Sequence, residues 1–96
     1  MDNREQVARG RLAAELIDNP LALEAFDAVR ERLQTIMVTA RTDEATLRAK
    51  QMIGLLNDVQ AYWQRVVQEG RFAAQTIMLE ETKEKAARKW FSGRAA

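Results

Sequence analysis

Residues 49–77 read AKQMIGLLNDVQAYWQRVVQEGRFAAQTI. Ala49, Met52, Leu56, Val59, Trp63, Val66, Gly70, Ala73 and Ile77 recur there at alternating steps of three and four, the spacing that lines one face of an α-helix packed along another. Ile53, Leu55, Tyr62 and Val67 lie beside this stripe, so the apolar surface is wider than one partner helix covers and more than one neighbour is expected. Two glycines interrupt the pattern, each weakening a helix by about 1 kcal/mol relative to alanine. Either could permit a close helix approach or a bend. A bend or hinge near Gly70 is the preferred expectation, dividing a helix over 43–70 from a second one over 71–91.

Working towards the N-terminus, Arg41-Thr42-Asp43-Glu44 marks the start of this helix. Thr42 is suited to cap it, and the two acids suit the positive end of its dipole. A helix over 20–40 precedes this break. In it Phe26, Val29, Leu33, Ile36 and Ala40 repeat the three-four alternation, and Leu23 and Met37 widen the face. The two stretches should therefore form a tight antiparallel hairpin with coiled-coil-like packing. Asp18-Asn19-Pro20 is the other boundary, because Asn19 can cap exposed N–H groups and Pro20 fits the first helical position, where no donor is required. A short helix within 1–18 comes before it, with Val7, Ala8, Leu12, Leu16 and Ile17 as its apolar stripe; at that length it needs a partner to persist. The expected fold is all-α: one domain over 1–96, a short N-terminal helix followed by a hairpin whose long arm is extended by a charged C-terminal helix.

That charged extension reads RFAAQTIMLEETKEKAARKWFSGRAA from residue 71. Glu81 with Lys85 and Glu84 with Arg88 are i, i+4 pairs in the favourable order for a helix in solvent. The helix should stop near Phe91, with Gly93 adopting a left-handed conformation beyond its end. Between Lys83 and Arg94 stand five basic residues and one acid, around an adjacent Trp90-Phe91. Cations at a helix C-terminus are explained by the dipole, whereas an exposed aromatic pair is not. Lys85, Arg88, Lys89, Trp90, Phe91 and Arg94 are accordingly the candidate docking end, with a protein groove as the preferred target.

Composition limits the chemistry. The chain has no cysteine and no histidine, which removes disulfides, thiolate nucleophiles, ordinary zinc sites and the commonest general base. Glu80, Glu81 and Glu84 are interleaved with lysine and read as a solvated face; Asp43 and Glu44 are accounted for by the dipole. No glycine pattern forms a phosphate cradle. No catalytic, cofactor-binding or metal-binding residue is assigned, and no enzyme activity is expected. Fifteen basic residues against fourteen acidic ones give a net charge of +1, too balanced for binding a polyanion through bulk charge. No apolar run approaches the ~18 residues of a membrane span, and the charged N-terminus does not resemble a secretion signal. At 96 residues a chain buries a modest fraction of its surface, so self-association is expected to complete the core. Met52, Leu56, Val59, Trp63, Val66 and Ala73 form the candidate self-association seam.

The stretch Arg9-Gly10, Ala13-Ala14, Leu16-Ile17-Asp18-Asn19-Pro20-Leu21 and Glu24-Ala25-Phe26 resembles the beginning of a group of small helical proteins encoded by tailed bacteriophages and prophages. Gly54-Leu55-Leu56 and Val66-Val67-Gln68-Glu69-Gly70-Arg71 continue the likeness in order, so that it covers roughly residues 9 to 74. KEKAARKWFSGR lies outside it. The resemblance implies a setting in phage head, packaging or assembly gene clusters, in the host cytoplasm or the virion, and it transfers no catalytic residue. The function expected from it is virion assembly or virion structure, carried out by a helical homo-oligomer that docks on a phage structural or packaging protein. Two alternatives stand beside this: a DNA-packaging factor resembling a small terminase subunit, for which nucleic acid would be the partner, and a phage-encoded inhibitor occupying a host protein. Near-zero net charge and the lack of a clear helix-turn-helix weigh against the nucleic-acid reading.

Overall fold

A computed structural model describes the backbone of residues 1–95 and the side chains of residues 1–92. The described chain folds into three helices, α1 (Asn3–Asp18), α2 (Pro20–Thr39) and α3 (Asp43–Ala95). Each start has a local chemical cause. The Asp2 carboxylate accepts from the Glu5 N–H at 2.8 Å and caps α1. The Asn19 side chain accepts from the N–H groups of Leu21 and Ala22 at 2.9 and 3.1 Å, while its own N–H donates to the Leu16 carbonyl at 3.3 Å. One residue thus closes α1 and opens α2, with Pro20 at the position where its missing donor costs nothing. Thr42 Oγ1 accepts from the Ala45 N–H at 3.1 Å, and Asp43 and Glu44 occupy the first turn of α3.

The architecture is a hairpin with one broken arm. α1 lies against the C-terminal half of α3, Gly10 meeting Gly70, and α2 lies against its N-terminal half, with Phe26 edge-on to Trp63 at 5.2 Å. Both run antiparallel to α3 and follow one another end to end. The cap at Asn19 is the only interruption between them. A helix of 53 residues should be about 80 Å long at 1.5 Å per residue, and the molecule measures 83 × 24 × 17 Å. Beyond the level of Asp2, which shares a groove with Glu80, Glu81 and Glu84, α3 projects alone.

Three expectations require correction. α3 is one helix, with no division at Gly70. It also runs past Ser92 and Gly93 to Ala95, so the expected stop near Phe91 does not occur. No packed element meets this end to turn the backbone aside, and the intact i→i−4 ladder costs only the ordinary penalty for glycine. The face of α1 is the third correction. Ala8, Leu12 and Leu16 are exposed, while Gly10 and Ala13 are buried and Ala14 and Ile17 half-buried.

The cause of that rotation is the meeting of α1 with α3. A Cβ on Gly10 would lie 2.9 Å from the Gly70 Cα and 3.3 Å from the Val66 carbonyl oxygen; one on Gly70 would lie 2.9 Å from both the Gln6 carbonyl oxygen and the Gly10 Cα. The two backbones approach too closely for any side chain between them. Alanines flank the point of contact, with Ala13 and Ala73 both buried. Leu12 and Leu16 are turned outward because backbone-to-backbone packing leaves them no room at the contact, while Val7 and Ile17, before and after it, stay half-buried. Gly70 therefore serves close approach, and Gly54, whose Cβ would meet nothing within 4 Å, does not.

The resulting core is thin. Its buried apolar residues are Ala13, Leu33, Ala49, Val66 and Ala73, three of them alanine. Accessible surface is 8013 Å², against about 5,600 Å² for a compact chain of 10.9 kDa. The radius of gyration is 22.6 Å, against about 12 Å for a compact domain of this length. The free end of α3 accounts for part of that excess. The remainder lies along the two open flanks of the hairpin.

Candidate functional site

Those flanks differ in chemistry. On one, the Arg30 guanidinium donates to Asp27 Oδ1 at 3.3 Å, Asn57 Oδ1 at 3.2 Å and Gln60 Oε1 at 2.6 Å, tying α2 to α3 through polar groups. Gln64 and Gln68 continue this side along α3, where they line shallow clefts with Asp18 and Arg71. The Arg30 ion pair is partly exposed and is worth a fraction of a kcal/mol by itself. Its significance is directional: on this side of the hairpin α2 and α3 are joined through polar groups.

The opposite flank is apolar. Ile36 of α2 and Met52 of α3 line one groove of about 270 Å³ with Leu33 and Ala49 at its base. Val29 lies two turns before Ile36, and Val59 two turns after Met52, so both continue the same stripe in opposite chain directions. Leu55 and Tyr62 widen it on α3. All six of Val29, Ile36, Met52, Leu55, Val59 and Tyr62 are exposed, from 39% at Ile36 to 64% at Leu55. The Tyr62 hydroxyl accepts from Arg9 at 3.3 Å, and the Arg65 guanidinium lies 5.9 Å from its ring centroid. This fixes the polar margin of the stripe at its α1 end.

The sequence-derived seam is therefore divided by the fold. Val66 and Ala73 are buried against α1, and Leu56 and Trp63 are half-buried within the hairpin. Met52 and Val59 are displaced to the apolar flank. Likewise Val29 and Ile36, read from spacing as inner positions of α2, stand at its margin, while Phe26, Leu33 and Met37 point inward. Spacing alone missed Gly10 and Ala13 as contact residues. Their signal was the small-residue run Gly10, Ala13, Ala14, which shares its face with Ile17 and not with Leu12 or Leu16.

The candidate docking end is a separate surface. Lys85, Arg88, Lys89, Trp90 and Phe91 are exposed on the projecting part of α3; Arg94 lies outside the residues whose side chains are described. Arg88 pairs with Glu84 at 2.8 Å, which is the i, i+4 pair expected from sequence. The rings of Trp90 and Phe91 meet edge-on at 5.2 Å. The fold does not bring this end near the apolar flank.

Among the described residues no group of three or more acidic side chains is placed to hold a metal ion, and no helix is long and apolar enough to cross a membrane. No protein-family profile, curated protein sequence or solved structure matches this chain.

Proposed function

We propose that the chain is a non-enzymatic virion-assembly or virion-structural protein of tailed bacteriophages, working in the host cytoplasm or the virion as a helical homo-oligomer that docks on a larger phage assembly. The observation that carries this reading is the mismatch between surface and core. A chain exposing 8013 Å² over five buried apolar residues among those described gains stability by sharing a core with other molecules. Elongation to 83 Å with a projecting aromatic and basic end suits a component that connects other parts. The phage setting rests on the resemblance over residues 9 to 74. The absence of histidine and cysteine supports a binding role over a catalytic one.

The test is solution mass by light scattering at low and high salt, with and without short duplex DNA. An oligomer that resists salt and ignores DNA is the expected result. A second reading, a small-terminase-like packaging factor, is favoured by the exposed cations Lys85, Arg88 and Lys89. It predicts instead a DNA complex that dissociates steeply as salt rises. A monomer under all conditions would move the assignment to a phage inhibitor of a host protein.

A further inference from the structure

We infer that the apolar flank of the α2–α3 hairpin is covered by the same flank of a second copy of this chain, the two hairpins lying face to face about a two-fold axis as a four-helix layer. This rests on the oligomeric reading above and specifies its interface. Three observations select both the face and the occupant.

First, the two flanks are unequal. Arg30, Asn57 and Gln60 bond among themselves on one side, whereas Val29, Ile36, Met52, Leu55, Val59 and Tyr62 are exposed on the other. Six side chains, each about half exposed, present on the order of 500 Å² of apolar surface, the upper part of the range for the largest patch on a monomer.

Second, the patch can face itself. No charged residue occurs among these six positions; Arg48, which also lines the groove, pairs with Glu44 at 3.4 Å, and Arg9 and Arg65 stand at the Tyr62 margin, so the stripe is apolar along its middle and charged only at its ends. The antiparallel hairpin also sets Ile36 beside Met52 and Val29 towards the Val59 end. A two-fold axis through the middle of this stripe returns apolar positions to apolar positions, as an isologous contact requires.

Third, the area suffices. About 500 Å² from each copy buries about 1,000 Å² in all, the lower bound for a specific interface. The surface in excess of a compact chain, about 2,400 Å², readily contains it. Leu33 and Ala49, already buried at the base of the groove, would become the centre of a shared core, and α1 and the projecting end of α3 would remain outside the contact.

The experiment compares the full chain with Val59→Asp, Met52→Asp and, on the polar flank, Gln64→Asp, by sedimentation equilibrium with helicity monitored. Val59 and Met52 are partly exposed, so an aspartate there is accommodated within a single hairpin. The wild type should have twice the chain mass. Each flank variant should weaken dimerisation at least a hundredfold, and Gln64→Asp should leave it unchanged. Because the chain has no cysteine, Leu55→Cys provides an independent arm: a short bis-maleimide should join two copies through it and fail with Gln64→Cys. A wild-type oligomer indifferent to both flank variants and not joined through Leu55→Cys would overturn this face and leave the oligomeric reading standing. A wild-type monomer would overturn both.

Discussion

Gly70→Ala, measured against Gly54→Ala, gives a sharp reading of the α1–α3 contact. At position 54 an added methyl meets nothing within 4 Å, so only backbone propensity changes and the helix gains about 1 kcal/mol. At position 70 the same gain is opposed by a methyl 2.9 Å from the Gln6 carbonyl oxygen and the Gly10 Cα. Both obstacles are backbone, and neither can swing aside as a side-chain end could. Ordinary contact begins at 3.4 Å, so α1 must retreat by about half an ångström, and overpacking of this kind costs about 1–3 kcal/mol. A gap of that size also forfeits about a quarter of the dispersion energy along the contact. The net effect should be destabilisation by about 1–2 kcal/mol, opposite in sign to the change at Gly54. At about 4–8 °C per kcal/mol for a chain of this size, thermal unfolding followed by circular dichroism at fixed protein concentration should show Gly54→Ala rising by about 5 °C and Gly70→Ala falling by about 5–10 °C. Once α1 has retreated, Gly10→Ala should add less than its single cost, so the double variant should be sub-additive. If Gly70→Ala raised Tm as much as Gly54→Ala, the close approach of the two helices would be refuted.

Other expectations follow from local contacts. Asn19→Ala removes the acceptor for two N–H groups and should cost about 1 kcal/mol in urea unfolding, with Thr42→Ala similar or smaller. A double-mutant cycle on Phe26 and Trp63 should return a coupling of about 0.5–1.5 kcal/mol for their edge-on contact; zero coupling would mean that the rings do not pack. Deleting residues 85–96 should leave the helicity per residue and the unfolding transition of the remainder nearly unchanged. A lost transition would show that the projecting part of α3 is needed for the fold.

The elements were legible because their boundaries are chemical. Asn19, Pro20 and Thr42 have local roles at helix starts that sequence displays, and the structure uses all three. The antiparallel pairing of 20–39 with α3 was legible from apolar spacing. Facing was not, since three-four periodicity identifies a stripe about 100° wide and cannot say which edge of it lies innermost. Met52 and Val59 illustrate this, sharing the stripe with Val66 yet standing at its margin. The α1 contact was hidden for another reason. Hydrophobicity weights Leu12 and Leu16 above Gly10 and Ala13, but two backbones can approach closely only where side chains are absent, a property of the pair Gly10 and Gly70 that neither residue declares alone. α3 stays continuous through Gly70 for the same reason, since a glycine used for contact need not bend its helix. The aromatic end was recognisable, because Trp90-Phe91 follows a charged helical run.

The broken arm has a consequence for the order of folding. α2 and the adjoining part of α3 are joined by a short turn, so their contacts close small loops and can form early. Gly10 and Gly70 are about sixty residues apart, and bringing them together closes a loop whose entropy is largely repaid once the hairpin has shortened the path. α1 should therefore dock last, closing about Asn19 and Pro20 onto an α3 already paired with α2. Amide protons pulse-labelled during refolding should be protected around Leu33 and Ala49 before those of α1.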